Sequence, residues 1–237
     1  MTIVDDVTPR PTTWTTGIII EKDLPTPTTV RLRMHVEDRQ RHWPGQHYLI
    51  RLRAPDDYTA QRSYSLASDD ADPLVEFLVE KLPGGEVSEF LADVAEVGDV
   101  LELRGPIGRW FLWDTRAPAL CLVGGTGVVP AVAMTRAARH AGRTDLLTVV
   151  AVGRGREHLP YAAELERAGA RLAFTREATG TRPAGPPTAG EVAPLLEGVD
   201  LVYVCGSSRF AEYAEGLLLG LGVEPARIRV EQFGATG

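Results

Sequence analysis

The sequence predicts two domains of different class, an antiparallel β-barrel of six strands followed by an α/β domain with a parallel sheet. Two observations lead to this prediction. Up to about residue 114, short and often alternating apolar runs are separated by Pro, Gly and Asp, as in antiparallel strands joined by turns. From residue 117 onward, continuous apolar runs alternate with helical patterns, which indicates a parallel sheet covered by helices.

Six strand-like runs make up the first half. They are TGIIIEKDL, TTVRLRMHVED, QHYLIRLRA, RSYSLAS, LVEFLVEKL and DVLELRGPI. Six short strands at this spacing favour a small antiparallel barrel. One helix is predicted between them, at SEFLADVAEVG (88–98), with Ser88 as its N-cap.

The second half alternates strand and helix to its end. Strands are predicted at PALCLVGG, DLLTVVAVG, ARLAFTRE, DLVYVCG and RIRVEQF. Helices are predicted at VPAVAMTRAARHAG, HLPYAAELERAG, AGEVAPLLEGV and RFAEYAEGLLLGLG, and TRPAGPPT is a loop. We therefore predict a flexible tail over residues 1–12, a barrel domain over 13–114 and an α/β domain over 115–237.

Composition excludes several classes of function. The net charge of −7 argues against a nucleic-acid partner, and no apolar run reaches the roughly 20 residues of a membrane span. The acidic, Thr/Pro-rich start does not resemble a signal peptide. Cys121 and Cys205 lie in no CxxC pattern, so we expect no metal or iron–sulfur site and a reducing, cytoplasmic location.

Positive charge is concentrated in residues 28–54. Six arginines (31, 33, 39, 41, 51 and 53) stand there against Glu37 and Asp38. The run indicates either a solvated strand face or a docking surface for an acidic partner.

Two glycine-rich stretches precede helices, one in each half. Gly125 and Gly127 separate a buried strand from a helix, a placement that lets a pyrophosphate approach the helix N-terminus. Pro130 stands where a Rossmann-like fingerprint carries its third glycine. Gly84 and Gly85 precede the helix predicted from Ser88. Each stretch is either a phosphate site or an ordinary tight turn.

The run RSYS (62–65) carries an arginine and hydroxyl groups where a core strand would carry apolar residues. It is either an edge strand with a solvated face or a binding strand. In order along residues 14–237, RSYS, PGGEVS, GGTGVVP, VCG and VEQF resemble the flavin and nicotinamide motifs of the ferredoxin–NADP⁺ reductase superfamily. GPIGRWF resembles a further turn of that family.

The resemblance implies FAD bound by the first domain. Arg62 pairs with a flavin phosphate, Tyr64 packs on the isoalloxazine, and Ser65 hydrogen-bonds near N5. A second phosphate, which favours FAD over FMN, falls to the glycine turn. The further cofactor contacts implied are Ser63, Val79, Gly84, Gly85, Val87, Ser88 and Thr126. Since alternate strand residues face opposite sides, the strand must twist or end near Ser65.

The resemblance also implies hydride transfer from a nicotinamide nucleotide. Gly125, Gly127, Cys205 and Gly206 bind the nucleotide, Ser65 and Glu231 polarise or relay protons near N5, and Phe233 covers the flavin face. Without the resemblance, Cys205 is a small buried residue, Glu231 a solvated charge and Phe233 core packing. CGSS and the terminal GATG depart from the family pattern around the nicotinamide gate.

The choice of nucleotide turns on Arg154 and Arg176. Both end strands where NADPH-using members of the family carry cations for the 2′-phosphate, so NADP(H) is favoured over NAD(H). Either arginine could instead be an exposed strand-end residue, and the nearby Glu157 and Glu177 keep NADH open.

The sequence thus predicts an NAD(P)H-dependent FAD reductase. Its acceptor would be an acidic, ferredoxin-like protein or an oxygenase component. The alternatives are a diaphorase of free flavins or quinones, and a nucleotide-binding subunit without turnover.

Overall fold

A computed structural model describes residues 13–233 of the 237-residue chain. It contains two compact units, the first ending at Asp114 and the second beginning at Thr115. The tail predicted over residues 1–12 and the GATG end lie outside the described residues.

The first unit is a six-stranded antiparallel sheet. Its strands are β1 (Thr15–Thr26), β2 (Thr29–Val36), β3 (His47–Arg53), β4 (Thr59–Ser65), β5 (Val75–Glu80) and β6 (Val100–Ile107), in the order β4-β3-β6-β1-β2-β5. Just past the end of β4, Leu66 bridges Phe77 of β5, which joins the two outer strands. All six predicted strands are present, and the sheet closes as a barrel.

Alternation of side chains explains the interior of this barrel. In β2, Val30, Leu32 and Met34 are fully buried while Arg31 and Arg33 face outward. Tyr48, Ile50 and Phe77 extend the same core from β3 and β5. One helical segment interrupts the strands, with α1 at Glu86–Glu89 running into a π-helical turn at Phe90–Val94.

The second unit is a five-stranded parallel sheet. Its strands are β7 (Ala119–Gly124), β8 (Leu147–Gly153), β9 (Arg171–Phe174), β10 (Leu201–Ser207) and β11 (Ile228–Phe233), in the order β11-β10-β7-β8-β9. Its helices are α2 (Val128–His140), α3 (Ala162–Arg167), α4 (Ala189–Val192) and α5 (Ser208–Gly220). Every residue of β7 is buried, as expected for the central strand of a sheet covered on both faces.

The predicted fold class is confirmed. The strand predicted at RSYSLAS (62–68) lies at Thr59–Ser65, and ARLAFTRE (170–177) shortens to Arg171–Phe174, so that Arg176 lies two residues past its strand. The other differences concern helices. The helix predicted at 88–98 begins at Glu86 and ends at Val94, and the predictions at 158–169 and 189–199 shrink to α3 and α4, each beside a short 3₁₀ turn. In the last case Pro194 lies in the 3₁₀ turn Ala193–Leu195 that follows α4. A proline has no N–H for the helical ladder, which limits an α-helix at this point.

Candidate functional site

Strand β4 presents the RSYS residues in a graded way. Arg62 and Ser63 are exposed, Tyr64 is half-buried against the barrel core, and Ser65 is buried. Burial raises the pKa of Tyr64 to about 12. The strand ends at Ser65, which meets the geometric condition that one ligand could reach residues of both strand faces.

Arg62 keeps its guanidinium available. Its Nη1 donates to the carbonyl of Gln61 at 2.8 Å, and no carboxylate of the described chain forms an ion pair with it. An exposed planar guanidinium without an acidic partner is suited to a phosphate ligand.

The glycine turn of the first unit differs from the prediction at Ser88. The N-cap of α1 is Gly85, so the assignment of Ser88 as N-cap is wrong. The Ser88 hydroxyl instead accepts from the Leu82 N–H at 3.2 Å and donates to the Gly85 carbonyl at 3.1 Å. The serine therefore closes the turn from inside the helix, because the chain becomes helical two residues earlier than predicted.

This turn already donates a hydrogen bond to a carboxylate of its own chain. The Gly84 N–H donates to a Glu89 carboxylate oxygen at 3.0 Å. Gly84 is exposed with φ +73°, whereas Val87 is buried. The predicted contact Val79 lies in β5, paired with Val30, and its side chain is in the core, which leaves only its backbone for a ligand.

A tyrosine that sequence reasoning missed connects the two predicted flavin segments. The Tyr58 hydroxyl donates to Glu86 at 3.0 Å, so the turn before β4 is tied to the start of α1. Tyr58 is 56% exposed. An aromatic residue in the polar turn APDDYT was the available signal.

In the second unit, the GGTG loop packs directly on the VCG strand. Gly125–Gly127 form a 3₁₀ turn that leads into α2. A Cβ on Gly127 would lie 2.3 Å from the Cys205 carbonyl oxygen and 2.6 Å from the Gly206 Cα. The two predicted nucleotide segments are therefore in contact, and only glycine permits this approach.

This contact lies at the point where the strand order reverses. Strands β8 and β9 lie on one side of β7, and the later strands β10 and β11 lie on the other side. The carboxyl ends of β7 and β10 therefore flank a crevice of the kind in which open α/β sheets bind ligands. Thr126 lies half-buried in the loop at this edge.

Cys205 and Glu231 are neighbours in the sheet register. Cys205 of β10 lies opposite Glu231 of β11, and Phe233 ends β11 opposite Ser207. Burial raises the pKa of Glu231 to about 7. Burial, and then the nearby Glu231 carboxylate, raise the pKa of the Cys205 thiol. Cys205 is fully buried, while Glu231 and Phe233 are half-exposed.

The serines of CGSS start a helix. Ser207 is the N-cap of α5, and its hydroxyl accepts from the Phe210 N–H at 3.4 Å. Phe210 then packs under the glycine loop, since a Cβ on Gly124 would lie 2.8 Å from its ring. Gly124 was also missed by sequence reasoning, although the doubled glycine of GGTG was its signal.

Arg154 and Arg176 line one open cleft of about 520 Å³. The Arg176 N–H donates to the Arg154 carbonyl at 2.9 Å, which holds the two strand ends together. Neither guanidinium forms an ion pair with the described residues. The carboxylate of Glu177 accepts from the Arg156 N–H at 3.0 Å, and Glu157 lies 3.5 Å from His158.

The arginines of residues 28–54 are balanced by carboxylates of the same unit. The ion pairs are Arg31–Asp23 at 2.5 Å, Arg33–Asp72 at 2.8 Å, Arg39–Asp70 at 3.7 Å, Arg41–Asp70 at 2.9 Å, Arg51–Glu102 at 2.6 Å and Arg53–Asp57 at 3.3 Å. The local surplus of positive charge in the sequence is therefore not a surplus in the fold. Asp23 and Asp57 lie just outside the counted window, and Asp70, Asp72 and Glu102 come from distant segments, so a count within residues 28–54 misses all of them.

Within residues 13–233, no three His, Cys, Asp or Glu side chains are grouped so that they could hold a metal ion. Among the helices of the described chain, none is long and apolar enough to cross a membrane.

Comparison with known proteins gives consistent matches. The oxidoreductase FAD-binding domain family matches residues 17–112. The toluate 1,2-dioxygenase electron transfer component of Pseudomonas putida is 33% identical over 202 residues, covering 81% of this chain. The ferredoxin–NAD(P)⁺ reductase component of the naphthalene 1,2-dioxygenase/salicylate 5-hydroxylase systems of Ralstonia sp is 27% identical over 243 residues, 98% of this chain and 73% of that protein.

A solved structure shows the same fold. The flavohem-like FAD/NAD binding domain of nitric oxide dioxygenase from Vibrio cholerae superposes with a TM-score of 0.82 at 24% identity, over 93% of this chain and 98% of that one. By contrast, this chain spans 59% of the length of the toluate component.

Proposed function

This chain belongs to the ferredoxin–NADP⁺ reductase superfamily, and from that premise we propose that it is a reductase that oxidises NAD(P)H with bound FAD and delivers the electrons to a separate acceptor. The observation that carries the proposal is the packing of the Gly127 loop on Cys205 and Gly206 at the reversal point of the sheet. There the loop proposed to bind the nucleotide, a buried thiol and the carboxyl of Glu231 lie together.

The first unit has residues that fit FAD. Arg62 offers an unpaired guanidinium for a phosphate, and Tyr64 offers a partly exposed ring at the end of β4. Ser63 and Ser65 add hydroxyls, and the turn from Gly84 to Ser88, with Val87, offers backbone donors for a second phosphate, as the Gly84–Glu89 contact supports. The backbone of Val79 completes the contacts proposed within this unit, and Thr126, in the glycine loop of the second unit, is a further proposed contact. Bound FAD would supply the redox chemistry, taking a hydride from the nicotinamide and releasing electrons to the acceptor.

The residues of the second unit would orient the nicotinamide and handle a proton. The loop Gly125–Gly127 would hold the pyrophosphate, and Gly206 and the backbone of Cys205, whose thiol is fully buried, would line the ring site. Glu231, with a pKa of about 7, would hold or release a proton at its carboxyl oxygen near neutral pH. Phe233, half-exposed at the end of β11, would cover the face of the flavin ring that the nicotinamide must occupy.

We propose that NADP(H) is preferred over NAD(H). The support is the pair of unpaired guanidiniums, Arg154 and Arg176, in one cleft, because a 2′-phosphate needs cationic donors. Of the two acids that could favour a free ribose hydroxyl, Glu177 is engaged by the Arg156 N–H and Glu157 lies beside His158.

The proposed acceptor is a ferredoxin or an oxygenase component. The relatives above are named as electron-transfer and reductase components of dioxygenase systems. An acidic acceptor has no support from residues 28–54, whose arginines are paired. We also propose a cytoplasmic location, where the two free thiols would stay reduced.

An anaerobic titration of the purified, FAD-loaded protein tests the proposal. Absorbance near 450 nm would be followed while NADPH and NADH are added to separate samples. Bleaching at much lower NADPH than NADH concentration would support both the reductase and the nucleotide preference. Equal bleaching by NADH would remove the preference only. A yellow protein that neither nucleotide bleaches would favour the non-catalytic subunit, and failure to take up FAD would overturn the proposal.

Reduction of acceptors then separates the two enzymatic alternatives. Fast reduction of a ferredoxin or oxygenase component with slow reduction of free flavin and quinone would support the proposed acceptor class. The reverse pattern would identify a diaphorase.

A further inference from the structure

A buried histidine lies in the segment between β2 and β3. The side chain of His42 is fully buried, and its Nε2 lies 3.0 Å from the Ser68 carbonyl oxygen. Its Nδ1 lies 3.4 Å from an Arg39 guanidinium nitrogen. A carbonyl can only accept and a guanidinium can only donate. The two partners therefore fix a neutral ring with the proton on Nε2.

The same segment contacts the loop between β4 and β5 at several more points. Arg39 donates to the Asp70 carbonyl at 3.1 Å and also to the carbonyls of Asp69 and Asp72. The His42 N–H donates to the Asp70 carboxylate at 3.1 Å. Residues 39–42 thus hold residues 68–72 through four backbone carbonyls and the Asp70 carboxylate, and we call this set of contacts the 39–42 clamp.

The clamped loop begins where the RSYS strand ends. Ser65 is the last residue of β4, and residues 66–69 are all buried. The Leu66 N–H donates to the Gln46 carbonyl at 3.1 Å, and the Ala67 N–H donates to the Glu76 carbonyl at 2.9 Å. The Ser68 hydroxyl accepts from the Glu76 N–H at 3.0 Å. The two residues between Ser65 and the clamp, Leu66 and Ala67, therefore have little freedom to move.

We propose that His42 is a positioning residue of the flavin site, which fixes the backbone leaving Ser65 by donating its Nε2–H to the Ser68 carbonyl. The inference rests on the proposed function, since it requires that Arg62 to Ser65 bind FAD. His42 acts through Ser68 and has no contact of its own with the cofactor in this proposal. Loss of its donor leaves a buried carbonyl unpaired, and the loop then relaxes at the point that sets the direction of Ser65.

The chemistry of the position explains why a histidine is suited to it. The side chain must donate to a carbonyl and accept from Arg39 while carrying no charge beside a guanidinium. Burial, followed by the charge of Arg39, lowers the pKa of His42, whereas Ser68, Asp70 and Asp69 act in the opposite direction. Glutamine carries an NH2 donor group and a carbonyl acceptor at its end and can make the same two hydrogen bonds, but leucine can make neither.

The test compares His42→Leu with His42→Gln in the full chain. Arg41→Ala is the matched control, because Arg41 belongs to the same segment, is exposed, and contacts only the Asp70 side chain. FAD affinity of the FAD-free protein is measured by quenching of flavin fluorescence, at a temperature where far-UV circular dichroism shows each variant folded. Visible circular dichroism of the bound flavin reports its seating.

We expect His42→Leu to weaken FAD binding about tenfold and to change the visible flavin spectrum, as for one buried hydrogen bond lost. His42→Gln and Arg41→Ala should stay within about twofold of the parent chain.

Equal affinity and an unchanged spectrum in folded His42→Leu would overturn the inference, as would His42→Gln behaving like His42→Leu. If the parent chain itself fails to bind FAD, the proposed function fails and not this step alone. If His42→Leu is unfolded, His42→Gln is compared instead with His42→Asn, whose shorter side chain cannot reach Ser68. Equal FAD affinity of these two variants would overturn the inference.

Discussion

Among the carboxyl groups of residues 13–233, Glu231 has a pKa that burial raises well above its ordinary value. Burial raises it from 4.5 to about 7, so the folded chain holds a proton that the unfolded chain releases. The stability contributed by this protonated form is present below pH 4.5 and is lost as pH rises through about 7. Within the proposed reaction, the same group changes charge close to neutral pH.

We therefore expect the rate of flavin reduction by NADPH to change with pH around 7, and Glu231→Gln to flatten that change. Glutamine keeps the size of the side chain and removes the titration. Stopped-flow measurement from pH 5.5 to 8.5 checks this, with the exposed helix residue Glu212→Gln as control. A Glu231→Gln variant that keeps the full pH dependence would show that another group titrates.

Arg154 and Arg176 lead to a second prediction for single residues. Replacing either by Ala should raise the KM for NADPH about 10- to 100-fold and leave the KM for NADH within about threefold, because a charge-assisted hydrogen bond contributes ~1.5–3 kcal/mol. Steady-state kinetics with both nucleotides measure the ratio. Arg143→Ala removes a surface arginine that pairs with Asp145 and should change neither constant. Equal losses for both nucleotides would contradict 2′-phosphate recognition.

At the scale of single elements, the junction between the GGTG loop and β10 is the tightest part of the predicted site. Gly127 has φ −62°, a value open to any residue. Its glycine requirement is therefore steric, set by the Cys205 carbonyl and Gly206.

Gly127→Ala should lower the free energy of unfolding of the second unit by about 1–3 kcal/mol, as expected for overpacking a filled site, and should weaken nucleotide binding. Gly216→Ala is the matched control, because nothing lies within 4 Å of a Cβ there and the residue is within α5. The control should raise stability by up to ~1 kcal/mol. Urea unfolding followed by circular dichroism measures both. An unchanged Gly127→Ala protein would mean that the loop can move away.

Elements that depend on interactions between residues close in sequence were predicted better than features that depend on distant residues. Strands were predicted well, since alternation and apolar runs are local signals, as β2 and β7 illustrate. The N-terminus of α1 was misplaced because Ser88 is an ordinary capping residue, and only its bonds to Leu82 and Gly85 show that it lies inside the helix. The role of His42 was not predictable, because its partner Ser68 is 26 residues away.

For the whole molecule, net charge outweighs the local arginine run. The chain carries −7, and each of the six arginines in residues 28–54 has a carboxylate partner. Charge counted along residues 28–54 left a basic docking surface open as one of two interpretations, because ion pairs with acids outside that window are invisible in such a count. An acidic acceptor would be repelled at long range.

The rate of reduction of an acidic ferredoxin should therefore rise as ionic strength increases from about 10 to 200 mM, since salt screens repulsion between like charges. Reduction of an uncharged quinone should not change. Stopped-flow rates at low acceptor concentration measure both, and Arg41→Glu should leave the salt dependence nearly unaltered. A rate that falls with salt, together with a strong effect of Arg41→Glu, would restore the steering role of these arginines.

The position of the two cysteines has a practical consequence for unfolding measurements. Both thiols are free, fully buried and located in the second unit, on β7 and β10. A thiol-reactive reagent can modify them only when that sheet opens, and the first unit carries no cysteine to interfere. The rate of thiol alkylation under native conditions therefore measures how often the second unit opens, without a contribution from the first. Bound nucleotide should slow the alkylation. Loss of flavin from the first unit can be followed separately by flavin absorbance.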